Sequence, residues 1–274
     1  MGYEPADKVI KNCQIVNSHT GTIHKPSDHV AIKGERIAAV GDMDYTIGKD
    51  TEVIDAGGRF LVPGLIDPHC HQWHTYANST VFAACRLLHG STTIVDGFYG
   101  HAIVNGLRAS RFFLDELLRT PVKPIFVVPT MCYTQNRGIG FPASPNAPSI
   151  QELLDSLEWP ETKGIEEISP ELMLYRNQRD ADLLSLMEEC LKQGKVIQGH
   201  SAGMTDDKIT NAWVSSGIMH NHEIVNASET RRQAELGIWI VIREGSACKD
   251  IEACIPVITE EKYDARAFQL CTDV

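Results

Sequence analysis

Several things are scarce or missing in this chain of 274 residues, and each absence narrows its function. Basic residues are outnumbered, 25 Lys and Arg against 36 Asp and Glu, giving a net charge of −11. That balance opposes binding to a polyanionic backbone, which needs cationic side chains to neutralise phosphates, so no nucleic acid partner is expected. No apolar run approaches the length of a membrane span, and the N-terminal MGYEPADKVIKN lacks the apolar core of a signal peptide; no membrane role is expected, and the cytoplasm is the expected compartment. None of the eight cysteines forms a CxxC pair, the pattern of reduced thiols in a chain too large to need staples. Gly138-Ile139-Gly140 lacks the further glycine and helix start of a phosphate loop. Repeats, low-complexity tracts and coiled-coil heptads are also missing.

The residues that are present read as two regions. Residues 1–59 show short strand signals punctuated by turns: Val9–Val16, His29–Ile32, a hairpin turn at Lys33-Gly34-Glu35-Arg36, Ile37–Gly41 and Thr51–Asp55. They predict a small, sandwich-like β-rich domain. From residue 60 to 274, strands alternate with helical stretches. The expected strands are Phe60–Ile66, Thr92–Asp96, Ile125–Thr130, Gly164–Ile168, Val196–His200, Gly217–His222, Gly237–Arg243 and Ala267–Asp273. The clearest helix is Asp180–Gln193, with Leu183, Leu184, Leu186, Met187, Cys190 and Leu191 on one stripe and Gly194 as its stop. Eight such units predict an α/β fold, a (β/α)₈ TIM-type barrel, with a doubly wound open sheet as the alternative.

Chemistry in such barrels gathers at the C-terminal ends of the strands. Metal-binding side chains recur there: His69 and His71 after the first strand, Glu166 and Glu167 at the fourth, His200 at the fifth, His220 and His222 at the sixth, and Asp273 at the eighth. On a strand, His69 and His71 share a face and point away from Cys70. Adjacent Glu166 and Glu167 should face opposite ways, one inward and one outward or capping a helix. Asp273 has an ordinary alternative as a helix N-cap. His74 and His101 are weaker candidates, and His19, His24, His29 and His89 read as structural.

These segments resemble the amidohydrolase superfamily, and within it the adenine deaminases. The resemblance rests on Val62-Pro63-Gly64-Leu65-Ile66-Asp67-Pro68-His69-Cys70-His71, on Gly199-His200-Ser201-Ala202-Gly203, on Ser216-Gly217-Ile218 leading to His222-Glu223, and on Ile242-Arg243-Glu244-Gly245-Ser246-Ala247 followed by Leu270-Cys271-Thr272-Asp273. It implies one or two divalent metals, Mn, Fe or Zn, held by His69, His71, Glu167, His200 and His222. Hydroxide generated on that metal would attack C6 of adenine, giving hypoxanthine and ammonia, with Asp273 as ligand or proton shuttle and Glu223 as a further catalytic group that recognises the base. Arg243, Glu244, Ser246 and His101 would contact the purine, and superfamily habit implies a homo-oligomer. Two stretches depart from the family pattern by losing glutamates, at His71-Gln72-Trp73-His74 and at Phe98-Tyr99-Gly100-His101-Ala102. Family members also continue past the eighth strand into a last helix and further strands. These departures keep open another cyclic amide, lactone or aminated heterocycle as substrate, or a role as a binding module.

Overall fold

A computed structural model describes residues 4–134, 144–174 and 178–273; the Gly138–Gly140 stretch lies outside them. The chain divides into two compact units, Met1–Gly64 and Leu65–Val274. In the first unit, β1 (Lys8–Lys11), β4 (His29–Lys33), β5 (Arg36–Gly41) and β6 (Glu52–Asp55) form a sheet in the order β5-β4-β1-β6. A second sheet, in the order β3-β2-β7, joins β2 (Gln14–Asn17), β3 (Thr22–Ile23) and β7 (Phe60–Leu61). The expected single strand Val9–Val16 is therefore two strands in two sheets. The break is at Asn12, whose positive φ of 52° is a conformation asparagine tolerates, and whose side chain holds Asp55 at 2.8 Å. Ala6, Val9 and Ala31 form one small core and Cys13, Ile15 and Val30 another.

The second unit is the (β/α)₈ barrel. Its strands are β8 (Leu65–Asp67), β9 (Ser91–Asp96), β10 (Lys123–Pro129), β11 (Thr162–Ile168), β12 (Val196–Gly199), β13 (His220–Asn221), β14 (Trp239–Arg243) and β15 (Phe268–Cys271), all parallel and paired in chain order. The expected first strand Phe60–Ile66 is divided: Phe60 and Leu61 pair with Gln14 and Ile15, and only Leu65–Asp67 enters the barrel. Pro63, with no N–H to give a ladder, sits where the chain leaves one sheet for the other.

The circle closes between β15 and β8 through a Cys70–Asp273 bridge, with His71 N donating to Asp273 O at 3.0 Å and Asp273 N to His69 O at 3.1 Å. Asp67 reinforces the seam by accepting from Thr272 Oγ1 at 2.6 Å and Arg86 Nη1 at 3.0 Å. Helices wrap the barrel, among them Ser79–Leu88, Tyr99–Leu117 and Gln178–Lys192. The last buries Leu183, Leu186, Met187 and Cys190, and Gly194 (φ 67°) ends it. Trp213 is fully buried, donating Nε1 to Ile168 O at 2.8 Å and lying against Gly199, where any Cβ would come within 2.3 Å of its ring. That contact fixes β12 and so the start of the His200 loop. All eight cysteines are free thiols. Among the described residues no helix is long and apolar enough to cross a membrane.

Candidate metal centre

The strand ends bring a histidine and carboxylate cluster together. His69 and His71 follow β8, Glu167 lies in β11, His200 follows β12, His222 follows β13 and Asp273 follows β15. One oxygen organises them: Glu167 Oε1 lies 3.4 Å from His71 Nε2, 3.7 Å from both His69 Nε2 and His200 Nδ1, and 3.8 Å from His222 Nε2. Asp273 Oδ1 lies 3.3 Å from His71 Nε2 and 3.6 Å from His69 Nε2. On the other side, Glu223 Oε1 lies 3.6 Å from His222 Nε2 and 3.9 Å from His200 Nδ1. Glu167 thus links two groups of possible ligands, His69–His71–Asp273 and His200–His222–Glu223.

Unpaired polar atoms test whether a cation fits here. Both ring nitrogens of the fully buried His222 lack a hydrogen-bond partner, as do Nδ1 of His200 and Oε2 of Glu167. Polar atoms buried without partners are costly, and a shared cation would satisfy those that face Glu167, Nε2 of His222 and Nδ1 of His200 among them. His69 Nε2 and His71 Nε2 stand 3.0 Å apart. His69 donates Nδ1–H to Gln198 Oε1 at 3.2 Å, which fixes the tautomer and leaves the Nε2 lone pair toward its neighbours. Imidazole plus carboxylate is a donor set for Zn, Mn or Fe. The residues fit a divalent metal.

The electrostatics are those of a crowded, dry site. Burial, then the adjacent His71, lowers His69 to about 4. Burial opposes charge on His71 as well, but hydrogen bonding to Asp273 and Glu167 outweighs it and raises this imidazole well above its ordinary value. Burial would lift Asp273, yet His71, His69 and Arg243 hold its carboxyl below the usual carboxylate range. Burial lifts Glu223 against the pull of His200 and Arg243.

Arg243, the last residue of β14, is 5% exposed and fully engaged. It donates to Glu223, to Asp250 at 2.8 Å and to Asp273 Oδ2 at 3.3 Å. In this geometry its guanidinium bridges the two carboxylates at the cluster, Glu223 and Asp273. Glu244 and Ser246 are exposed in the following loop, and among the described residues neither side chain hydrogen-bonds a cluster member. His101 is not brought to the cluster. It lies on the helix Tyr99–Leu117 with its ring 3.8 Å from that of Phe113, because the helix turns it toward apolar neighbours. His220 lies in β13 and is in none of these ligand groups. His74 stacks on Trp73 with ring centres 3.8 Å apart.

The adjacent glutamates depart from simple alternation. Glu167 has φ 58°, and Glu166 is fully buried, with its carboxylate against Gly97, where a Cβ would come within 2.3 Å of Oε1. Asp96 has no role in the sequence reading. It ends β9, accepts from Gln72 N and Phe98 N at 2.7 Å each, and is pushed up to about 6 by burial. Its signal was a lone acid closing an apolar strand. Gln198 and Asp250 were also missed, since their partners lie 129 and 7 residues away.

Comparison with known proteins shows the family. An adenine deaminase of Ruegeria sp. (strain TM1040) is 34% identical over 284 residues, and one of Clostridium botulinum (strain Langeland) is 30% identical over 274 residues; each match takes in 99% of this chain and 44% of the relative. The chain therefore spans less than half the length of these curated relatives. The crystal structure of an adenine deaminase superposes with a TM-score of 0.63 at 17% identity, over 98% of this chain and 73% of that one, a likeness of fold. Residues 60–266 match the amidohydrolase family, and the chain belongs to it.

Proposed function

We propose that this chain is a metal-dependent hydrolytic deaminase that converts adenine and water to hypoxanthine and ammonia. The observation that carries the reading is the single Glu167 oxygen set 3.4–3.8 Å from four imidazoles at the barrel's C-terminal end. The adenine deaminases among its relatives supply the substrate. His69, His71, Glu167, His200 and His222 would hold one or two divalent ions, with Mn or Fe favoured over Zn. A bound ion supplies Lewis acidity, making water acidic enough to lose a proton near neutral pH.

The chain's own groups do the rest. Asp273, held ionised by His71 and Arg243, takes the proton from the attacking water and returns it to the departing amine. Glu223 lies on the more open side of the cluster, beside the 26%-exposed His200 side chain, and addresses the heterocycle's edge. Arg243 orients both carboxylates, and Glu244 and Ser246 lie on the loop that would meet the substrate. Water's oxygen joins C6, the C6–N bond breaks, and ammonia leaves.

A second reading replaces adenine with another planar aminated heterocycle. It is favoured by the surroundings of His71, where the rings of Tyr99 and His74 lie 4.8 and 5.8 Å away and Trp73 packs against both. Gln72 turns its amide to Ala77 O and Ser79 instead of the cluster. Ammonia release from adenine by the Mn²⁺-loaded chain, with His69→Ala as control, tests the first reading. No release from adenine, with release from another heterocycle, supports the second.

A further inference from the structure

A second group of ligating side chains lies in the small β unit, around His29. His29 opens β4 opposite Gly41, the last residue of β5, and Asp42-Met43-Asp44 follows directly. Met43 packs on Ala6, Val9 and Ala31, and its carbonyl accepts from Thr46 N at 2.9 Å and Thr46 Oγ1 at 2.7 Å, so the turn carrying both aspartates is anchored. His29 is 8% exposed, and its Nδ1 has no hydrogen-bond partner. That nitrogen lies 3.4 Å from Asp44 Oδ1, and one ligand atom from each of the three residues lies within 4.8 Å of the others.

We propose that His29, Asp42 and Asp44 form a divalent-cation site of the small β unit, one that pins the start of β4 to the turn after β5. A neutral imidazole and two carboxylates give a net charge of −2, and this donor set suits Zn²⁺ or Mn²⁺ with water completing the shell. The aspartate side chains are exposed, so modest rotations draw their oxygens to bonding distance. An imidazole nitrogen that is buried without a hydrogen bond, beside two solvent-facing carboxylates, is what separates this group from an ordinary acidic patch. Lys11 Nζ, 2.7 Å from Asp44 Oδ1, competes for one of the carboxylate oxygens and weakens the site.

Zn²⁺ bound per chain, counted by equilibrium dialysis of the whole protein, tests this. His29→Ala should bind one Zn²⁺ fewer than the wild type, and Asp42→Asn and Asp44→Asn should do the same. Lys11→Met should tighten that ion about fivefold, because a neighbouring positive charge is removed. The two aspartate variants change exposed side chains, so they decide the matter if His29→Ala folds poorly; an unchanged circular dichroism spectrum confirms the fold. Equal Zn²⁺ counts in the wild type and in Asp42→Asn and Asp44→Asn would overturn the proposal and leave an ordinary His29–Asp44 ion pair.

Discussion

The barrel cluster and the His29 group use the same side chains in opposite surroundings. His69, His71, His222, Glu167 and Asp273 are at most 5% exposed, whereas the Asp44 side chain is 61% exposed and already holds Lys11. Water and an ammonium can satisfy the aspartates of the small unit, so a cation there binds in competition. The barrel cluster has no such recourse: its unpaired nitrogens and oxygens are shut away from solvent, and Arg243 and Gln198 hold their neighbours Asp273 and His69 in place. Burial and a supporting shell turn a common set of residues into a site of commitment.

The comparison can be broken first at its strongest point. His71→Ala removes the ring between Glu167 and Asp273 and should abolish ammonia release, while His29→Ala leaves kcat unchanged; steady-state kinetics on Mn²⁺-loaded protein distinguishes them. Asp273→Asn keeps its shape and should lower kcat roughly 10²–10⁴-fold through loss of proton transfer. Arg243→Gln unclamps two buried carboxylates and should cost about 3–5 kcal/mol in urea denaturation, since breaking a buried pair leaves charge uncompensated. Gln198→Leu frees the His69 tautomer and should weaken metal binding roughly 10–100-fold, read by competition with a chelator.

The smallest effect concerns His101, whose folded value burial pulls down to about 4. The unfolded chain takes up the proton near pH ~6.5 and the folded chain only near 4. Stability is therefore full above pH ~6.5 and falls as the pH drops toward 4. His101→Phe should lose less in its urea midpoint between pH 7 and pH 5 than the wild type, with KM for adenine unchanged. A raised KM would restore His101 to the substrate site.

Much of this site was legible because its signals are local. An apolar strand ending in a ligand residue can be read from a few residues, and it located His69, His71, His200, His222 and Asp273. The barrel was legible for the same reason, through eight alternations. What sequence periodicity could not supply was backbone exception and long-range pairing. Glu167 reaches the cluster with φ 58°, a backbone conformation that strand alternation does not foresee. Pro63-Gly64 passes the chain between two sheets inside one apolar run. The partners of Arg243 are spread along the chain, at Glu223, Asp250 and Asp273, so its place among carboxylates was not legible in its own segment. His101 follows a strand in sequence, yet the helix that starts at Tyr99 carries it to Phe113.

The most direct test of the central claim is metal content. After chelation, reloading with Mn²⁺ and dialysis, the wild-type chain should retain at least one more ion than His71→Ala, at an unchanged circular dichroism spectrum. Equal metal content in the two folded proteins would contradict the assignment of the barrel cluster as a metal centre.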